Sequence, residues 1–185
     1  MNVIDTLLPG VKIIEPTVFK DERGSFSETY NHREFCESVG DGIQFVQDNQ
    51  SQSTRGVLRG LHLQLRKPQG KLVRVTAGEI FDVAVDCRLD SATFSQWIGV
   101  PLVAESFRQL WIPAGFAHGF LTLSDYAEVQ YKVTDYYDPG HELTLAWNDT
   151  QVGIEWPSDS QPLLSPKDTL GLNLQAVTQK LERFV

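Results

Sequence analysis

The stretch Lys71-Leu-Val-Arg-Val-Thr-Ala-Gly-Glu-Ile-Phe-Asp-Val-Ala-Val-Asp86 decides the fold of this chain. Its two halves, 71–76 and 80–86, are short and rich in β-branched residues, which is typical of strands. Ala77-Gly-Glu79 lies between them and predicts a hairpin turn. The centre of the sequence is therefore expected to be β-structure.

The same pattern of short strands and turn residues continues on both sides of this stretch. Strands are predicted at 25–30, 44–48, 57–65, 71–76, 80–86, 96–102, 109–112, 116–123 and 128–133. Almost no helical pattern separates them, which favours an antiparallel sandwich or barrel over a parallel sheet. We predict a mainly β fold, an antiparallel jelly-roll barrel with short peripheral helices.

Two short helices are expected at the periphery. Asn31 and Glu34 have the spacing of a capping box, and Gly40 suits the end of that helix. Near the end of the chain, apolar side chains recur at helical intervals and predict a helix packed outside the barrel. These residues are Leu174, Val177, Leu181 and Phe184.

Length and composition fit one domain over residues 1–185, because 185 residues with 41% hydrophobic side chains suffice for a single core. A net charge of -8 argues against a nucleic-acid partner. The sequence has neither a leader-like start nor an apolar run of about 20 residues, so we expect a cytoplasmic protein without a membrane partner. Cys36 and Cys87 form no CxxC motif and are expected to be buried free thiols.

The segment Pro113-x-Gly-x-x-His118 resembles the second sequence motif of the cupins, small β-barrels that usually hold a metal. Their first motif contains a His-x-His pair followed by a glutamate. Leu61-His62-Leu63-Gln64 occupies that place here, so Gln64 replaces the second histidine and no glutamate follows before Glu79. Two imidazoles do not make a site of three or four ligands. We therefore expect neither a metal nor another cofactor.

Without a metal, an imidazole in a barrel mouth is most useful as a general acid or base. His62 is the candidate, and either Asp168 or Asp82 is able to orient it. Both His62 and Asp168 also have structural interpretations. His62 fits a hydrogen-bonded core histidine, and Asp168 lies in Ser165-Pro-Lys-Asp168, which resembles a capped helix start.

Arg59 and His62 lie on the same predicted strand with a glycine between them. Strict alternation would place them on opposite faces of the sheet, whereas a shared ligand requires both in one cavity. Gly60 permits a β-bulge that re-aims one of the two side chains. We predict an irregularity at this position.

Beyond these single residues, seven segments closely resemble the dTDP-4-dehydrorhamnose 3,5-epimerase family. They are 19–26, 45–49, 57–62, 69–74, 81–86, 111–120 and 131–137, within a resemblance that runs from about Gly10 to Asp168. The resemblance implies a homodimeric, metal-free, cupin-type jelly roll. It also implies epimerisation of dTDP-4-dehydro-6-deoxy-D-glucose at C3 and C5, on either side of the ketone, to give dTDP-4-dehydro-L-rhamnose.

The resemblance also implies roles for individual residues. His62 falls at the family's base, Asp168 at its orienting aspartate, Lys71 at the lysine that steadies charge on the ketone oxygen, and Tyr131 at the acid on the opposite face. Substrate contacts fall on Arg23, Glu28, Gln47, Asn49, Arg59, His118, Glu142 and Lys167, and the ring stacked on thymine is that of Tyr137. The alternatives are an epimerase that inverts only one carbon, a metal-dependent cupin oxygenase, and a non-catalytic nucleotide-sugar binder.

Overall fold

The computed structural model describes residues 1–158 and 160–184, and over these residues it has thirteen strands, three α-helices and two short 3₁₀ helices. The strands are β1 (Asn2–Asp5), β2 (Lys12–Glu15), β3 (Val18–Asp21), β4 (Gly24–Ser27), β5 (Gln47–Thr54), β6 (Leu58–Gln64), β7 (Lys71–Ala77), β8 (Glu79–Asp86), β9 (Trp97–Val103), β10 (Gln109–Ile112), β11 (Phe116–Thr122), β12 (Tyr126–Val133) and β13 (Glu142–Thr144). The α-helices are α1 (His32–Val39), α2 (Pro166–Thr169) and α3 (Leu174–Leu181).

Two antiparallel sheets make up the body of the fold. One has six strands in the order β1-β2-β10-β7-β12-β5, and the other has five in the order β13-β6-β11-β8-β9. Apolar side chains of both sheets share one buried cluster, including Val73, Leu110 and Val129 from the first sheet and Ile80 and Leu102 from the second. This arrangement confirms the predicted antiparallel jelly roll.

Most predicted strands coincide with observed ones, and β10 has the predicted bounds. The largest displacement is at β5, which was expected at 44–48 and runs from Gln47 to Thr54. Its sequence contains no apolar residue. On one face, Gln50 and Gln52 donate hydrogen bonds to Glu128 at 2.8 and 2.7 Å, so polar contacts replace the apolar signal on which strand prediction depends.

The predicted hairpin turn at Ala77-Gly-Glu79 is wrong. Strands β7 and β8 follow each other directly but belong to different sheets, so this connection takes the chain from the six-stranded sheet to the five-stranded sheet. Gly78 has a φ of +75°, and a Cβ at this position would lie 2.0 Å from the carbonyl oxygen of Tyr126. The link has only one residue, whereas the commonest hairpin loops have two.

Helix α1 begins at its predicted cap, because the side chain of Asn31 accepts a hydrogen bond from the backbone N–H of Glu34. The ring of Phe35 is buried and packs edge-on against Trp111 at 5.3 Å. At the other end of the chain, α3 buries Leu174 and Val177 as predicted. It ends at Leu181, and Phe184 is 44% exposed beyond it.

The two thiols are free, but only Cys87 is buried. Burial raises the pKa of Cys87 to about 12. Cys36 is only partly buried, so the expectation of two buried thiols is wrong for that residue. Separately, none of the helices in the described part of the chain combines the length and the apolar character that crossing a bilayer requires.

Candidate active site

A β-bulge in β6 aims the side chains of Arg59 and His62 into one cavity. His62 pairs with His118 on β11 and Arg59 pairs with Phe120, so β6 has one more residue than β11 over this interval. Gly60 within the bulge has a φ of +112°, and a Cβ there would lie 2.6 Å from the carbonyl oxygen of His118. The predicted irregularity is confirmed, and both Arg59 and His62 line the cavity.

The cavity has a volume of about 580 Å³ and receives side chains from both sheets. Of the catalytic and substrate-binding residues predicted above, eleven line it: Gln47, Asn49, Arg59, His62, Lys71, His118, Tyr131, Tyr137, Glu142, Lys167 and Asp168. The five-stranded sheet supplies the two histidines, and the six-stranded sheet supplies the lysine and Tyr131. A ligand in the cavity would therefore lie between an imidazole on one side and a phenol on the other.

His62 is oriented by a short hydrogen bond. Its Nε2 donates to Oδ1 of Asp168 at 2.6 Å, and the hydroxyl of Ser165 donates to Oδ2 at 2.8 Å. Burial opposes the charged form of Asp168, but the hydrogen bonds from His62 and Ser165 outweigh it and lower the pKa of this carboxyl. With Nε2 engaged, Nδ1 is the nitrogen left to accept a proton.

Asp82, the other carboxylate considered for this role, pairs with a different imidazole. Its Oδ1 lies 2.9 Å from Nε2 of His118, and the side chains of both residues are buried. Two His–Asp pairs thus lie side by side, because His62 and His118 are register partners on β6 and β11, and Asp82 is buried behind the cavity wall. The choice of Asp168 over Asp82 as the partner of His62 is settled by these distances.

Lys71 brings an almost buried charge to the cavity wall. Lys71 is only 7% exposed and lines the cavity. Among the described residues, none accepts a hydrogen bond from its ammonium group. Burial lowers the pKa of Lys71 to about 8, against the attraction of Glu142 and Asp82. At neutral pH the group remains mostly protonated and is available to a negatively charged ligand atom.

Tyr131 retains its proton at neutral pH. Burial raises the pKa of its hydroxyl above the ordinary value, while Arg59 acts in the opposite direction and Glu142 adds to the increase. In the register of β12, Tyr131 lies opposite Asn49 on β5 and Val73 on β7, on the face that lines the cavity. A neutral phenol in this place can donate a proton.

Glu142 on β13 contacts three residues of the site. Its Oε2 accepts hydrogen bonds from the ammonium of Lys167 at 2.8 Å and from the hydroxyl of Tyr137 at 3.0 Å. Its Oε1 lies 3.9 Å from Nδ1 of His62. Negative charge beside this nitrogen stabilises an imidazolium when the ring takes up a proton.

Arg59 reaches the exposed side of the cavity. Its Nε donates to the hydroxyl of Ser53 and its Nη2 to the carbonyl of Gln52, both at 2.9 Å. Beside it on β5, the amide of Gln47 donates to Oδ1 of Asn49 at 2.7 Å. The planar guanidinium is thereby fixed at the position where it can pair with an oxyanion.

Two predicted contacts lie outside the cavity of this chain. Arg23 is in the turn between β3 and β4, where its Nε donates to Asp21 at 3.0 Å and its side chain is 85% exposed. Glu28 follows β4 and accepts a hydrogen bond from the amide of Asn31 at 3.1 Å. The fold of one chain does not bring these two residues to the others.

The cavity is also lined by polar residues that have no predicted role. Gln64, singled out only as a missing ligand, lines it together with Gln69 and Ser51. The hydroxyl of Ser51 is buried and has no hydrogen-bond partner among the described residues. The signal for Ser51 was present in β5, because Gln47, Asn49 and Ser51 alternate along the strand and all three line the cavity.

The acidic, histidine and cysteine side chains of the described residues are not arranged as a metal site. Residues 1–158 and 160–184 contain no group of three or more histidine, cysteine, aspartate or glutamate side chains placed to hold one. The side chains that converge are an imidazole hydrogen-bonded to a carboxylate, a buried ammonium group and a protonated phenol. Such a set can remove a proton, stabilise the resulting negative charge and return a proton from the other side.

A sequence model of the dTDP-4-dehydrorhamnose 3,5-epimerase family matches residues 5–176. The chain belongs to this family. It is 58% identical over 171 residues to a dTDP-4-dehydrorhamnose 3,5-epimerase of Pseudomonas aeruginosa, which covers 92% of this chain and 94% of the relative. The family match spans the bulge, both His–Asp pairs and all of the residues that line the cavity.

Solved structures of this epimerase family superpose closely on the chain. An epimerase from Legionella pneumophila, in complex with dTDP-4-keto-L-rhamnose, has a TM-score of 0.94 and 51% identity, covering 97% of this chain and 96% of that one. A 3'-monoepimerase from Streptomyces bikiniensis, in complex with dTDP-quinovose, has a TM-score of 0.88 and 33% identity, covering 96% and 89%. The epimerase fold is thus a cupin-type jelly roll.

Proposed function

We propose that this chain is a dTDP-4-dehydrorhamnose 3,5-epimerase that converts dTDP-4-dehydro-6-deoxy-D-glucose to dTDP-4-dehydro-L-rhamnose, a step in dTDP-L-rhamnose biosynthesis. One observation carries the proposal. His62 is hydrogen-bonded to Asp168 at 2.6 Å on one side of the cavity, and Lys71 and Tyr131 project into the same cavity from the opposite sheet. Membership of the family supplies the substrate class.

The reaction begins with removal of a proton from a carbon beside the ketone. Nδ1 of His62 accepts this proton, while Asp168 holds the ring by Nε2 and stabilises the imidazolium. The electron pair of the broken C–H bond moves onto the ketone oxygen and forms an enolate. Lys71 lies ready to stabilise this oxygen, since a nearly buried ammonium group acts strongly on charge that develops in the transition state.

Inversion is completed when a proton arrives from the opposite face of the sugar. Tyr131 is the donor, because it lies on the sheet opposite His62 and its raised pKa keeps the hydroxyl protonated. The tyrosinate regains a proton from solvent and His62 releases the one it took, so the residues return to their starting states. The sequence of steps at the first carbon is repeated at the second carbon beside the ketone, and no redox or group-transfer cofactor takes part.

Binding of the nucleotide is assigned to the outer part of the cavity. Arg59 and Lys167 provide positive charge for the diphosphate. Because the chain as a whole has a net charge of -8, this positive charge has to come from individual side chains at the site. Tyr137 offers a ring that is 51% exposed and suits stacking on thymine. Gln47, Asn49, His118 and Glu142 complete the proposed contacts.

A homodimer explains the two contacts that lie outside the cavity. The hairpin of β3 and β4 exposes Phe19 at 62% and Phe26 at 69%, and apolar surface of this kind is typical of an interface. We propose that the hairpin of each copy packs on the other and brings Arg23 and Glu28 to its partner's cavity. Residues 1–185 then act as one domain per copy, in the cytoplasm, where free thiols persist, and without a nucleic-acid or membrane partner.

Product stereochemistry tests the proposal. The purified chain is incubated with dTDP-4-dehydro-6-deoxy-D-glucose, and the product is reduced and examined by NMR for the configuration at C3 and C5. Inversion at both carbons is expected, and loss of turnover in His62→Ala is the control. Inversion at one carbon only would favour the second candidate, a mono-epimerase, which the similarity to the Streptomyces bikiniensis enzyme makes worth testing.

A further inference from the structure

The segment 135–138 carries Tyr137 but has no regular secondary structure. It connects the end of β12 to the 3₁₀ helix before β13. Within the described part of the chain, residues 135–137 form no backbone-to-backbone hydrogen bond. Because backbone polar groups need partners, the shape of this segment depends on side chains.

Three glutamine side chains supply those partners. Gln69 donates to the carbonyl of Asp135 at 2.7 Å, and Gln64 donates to the carbonyl of Tyr136 at 3.3 Å. The side-chain oxygen of Gln47 accepts from the N–H of Tyr137 at 3.2 Å, and that of Gln64 accepts from the N–H of Asp138 at 2.7 Å. Four successive residues are therefore each held by a glutamine amide.

The three glutamines, which we call the glutamine clamp, come from separate parts of the fold. Gln47 begins β5, Gln64 ends β6, and Gln69 lies in the loop before β7. Gln64 is 7% exposed and also donates to the carbonyl of Lys67 at 2.9 Å, so it links the two loops that border the cavity. All three side chains line the cavity wall.

Packing does not fix the ring of Tyr137. Half of this residue is exposed, and its hydroxyl has one contact, the hydrogen bond to Glu142. The direction of the ring therefore depends on that hydrogen bond and on the backbone from which the ring projects, and the clamp holds this backbone. A stacking platform that is already ordered pays a smaller entropy cost when the ligand binds.

We infer that Gln64 and Gln69, together with Gln47, are positioning residues that hold segment 135–138 so that the ring of Tyr137 meets the thymine of the nucleotide. This inference rests on the proposed function. Gln64 thus has a role of its own at the place where metal-binding cupins have a histidine.

The test measures binding of thymidine diphosphate by titration calorimetry, together with KM and kcat for the ketosugar substrate. Gln64→Leu is expected to weaken binding and raise KM on the order of tenfold, since several hydrogen bonds are lost, with kcat within about threefold of wild type. Ser124→Ala is the control and is expected to leave binding and KM within about twofold of wild type. The hydroxyl of Ser124 also holds backbone groups, accepting from the N–H of Glu79 at 2.8 Å and donating to the carbonyl of Tyr126 at 2.7 Å, but Ser124 does not line the cavity.

A double variant separates positioning from general damage. Gln64→Leu in a Tyr137→Ala background is expected to add less than about twofold, because the clamp acts through that ring. Losses that multiply, or binding by Gln64→Leu that equals wild type, would overturn the inference. If Gln64→Leu does not fold, Gln69→Leu, which removes one hydrogen bond, takes its place with an expected loss of about threefold. Failure of the wild-type chain to bind thymidine diphosphate would instead overturn the proposed function.

Discussion

Lys71 is predicted to reduce the stability of the fold that it makes active. The residue is 7% exposed, and burial lowers the pKa of its ammonium group from 10.5 to about 8. At about 1.4 kcal/mol for each pKa unit, this difference corresponds to roughly 3 kcal/mol of unfavourable free energy when the charged group is buried. Lys71→Met keeps the volume and removes the charge, so it should raise the free energy of unfolding at pH 7 by up to about 3 kcal/mol.

The dependence on pH identifies the cause. Below pH 8 the lysine is protonated in both the folded and the unfolded state, and the wild type bears the full penalty. Between pH 8 and 10.5 the folded state loses the proton first, so the wild type gains stability relative to the variant and the difference closes. Urea denaturation at pH 7 and pH 10 measures this difference, with the exposed Lys180→Met as a control expected to change stability by less than about 0.5 kcal/mol.

Activity should move in the opposite direction. Lys71→Met is expected to lower kcat by about 10²- to 10³-fold, because the enolate oxygen loses its charged partner. A variant that is less stable than wild type at pH 7, or a stability difference that is the same at pH 7 and pH 10, would refute the reasoning from burial.

Three further predictions concern the rest of the cavity. Asp168→Asn should lower kcat by about 10²- to 10⁴-fold with little change in KM, because His62 loses its orientation; equal kcat in steady-state assays would contradict this. Gly60→Ala should cost on the order of 2–3 kcal/mol in thermal unfolding and most of the activity, since its Cβ would lie 2.6 Å from the carbonyl of His118. Arg59→Ala should raise KM about tenfold or more and make KM less dependent on salt concentration. If KM of the variant depends on salt as strongly as that of the wild type, Arg59 does not bind the diphosphate.

The fold could be predicted from the sequence because most strands have apolar β-branched residues and are bounded by turn residues. Prediction was weakest where polar contacts replace that signal, as in β5, and where strands are short, as in β1 and β13. The error at Gly78 has a different cause. Two strands adjacent in sequence looked like a hairpin, and only the sheet assignment shows that they lie in different sheets.

The cavity residues that lie in recognisable sequence motifs could be predicted. The alternation rule required an irregularity at Gly60 if Arg59 and His62 were to share a ligand, and the bulge is present. The choice between Asp168 and Asp82 needed distances, because the residues are far apart in sequence. The clamp could not have been predicted, since it depends on which backbone groups the folded loop leaves without partners.

Proton exchange in heavy water tests the central claim most directly. With the ketosugar substrate in deuterium oxide, the wild type should introduce deuterium at both carbons beside the ketone with inversion, and His62→Ala should introduce none. Tyr131→Phe should introduce deuterium without inversion, because the base still removes a proton, exchanges it with the solvent and returns a deuteron to the same face. Exchange in His62→Ala at the wild-type rate, or inversion by Tyr131→Phe at the wild-type rate, would contradict the assignment of His62 as base and Tyr131 as acid.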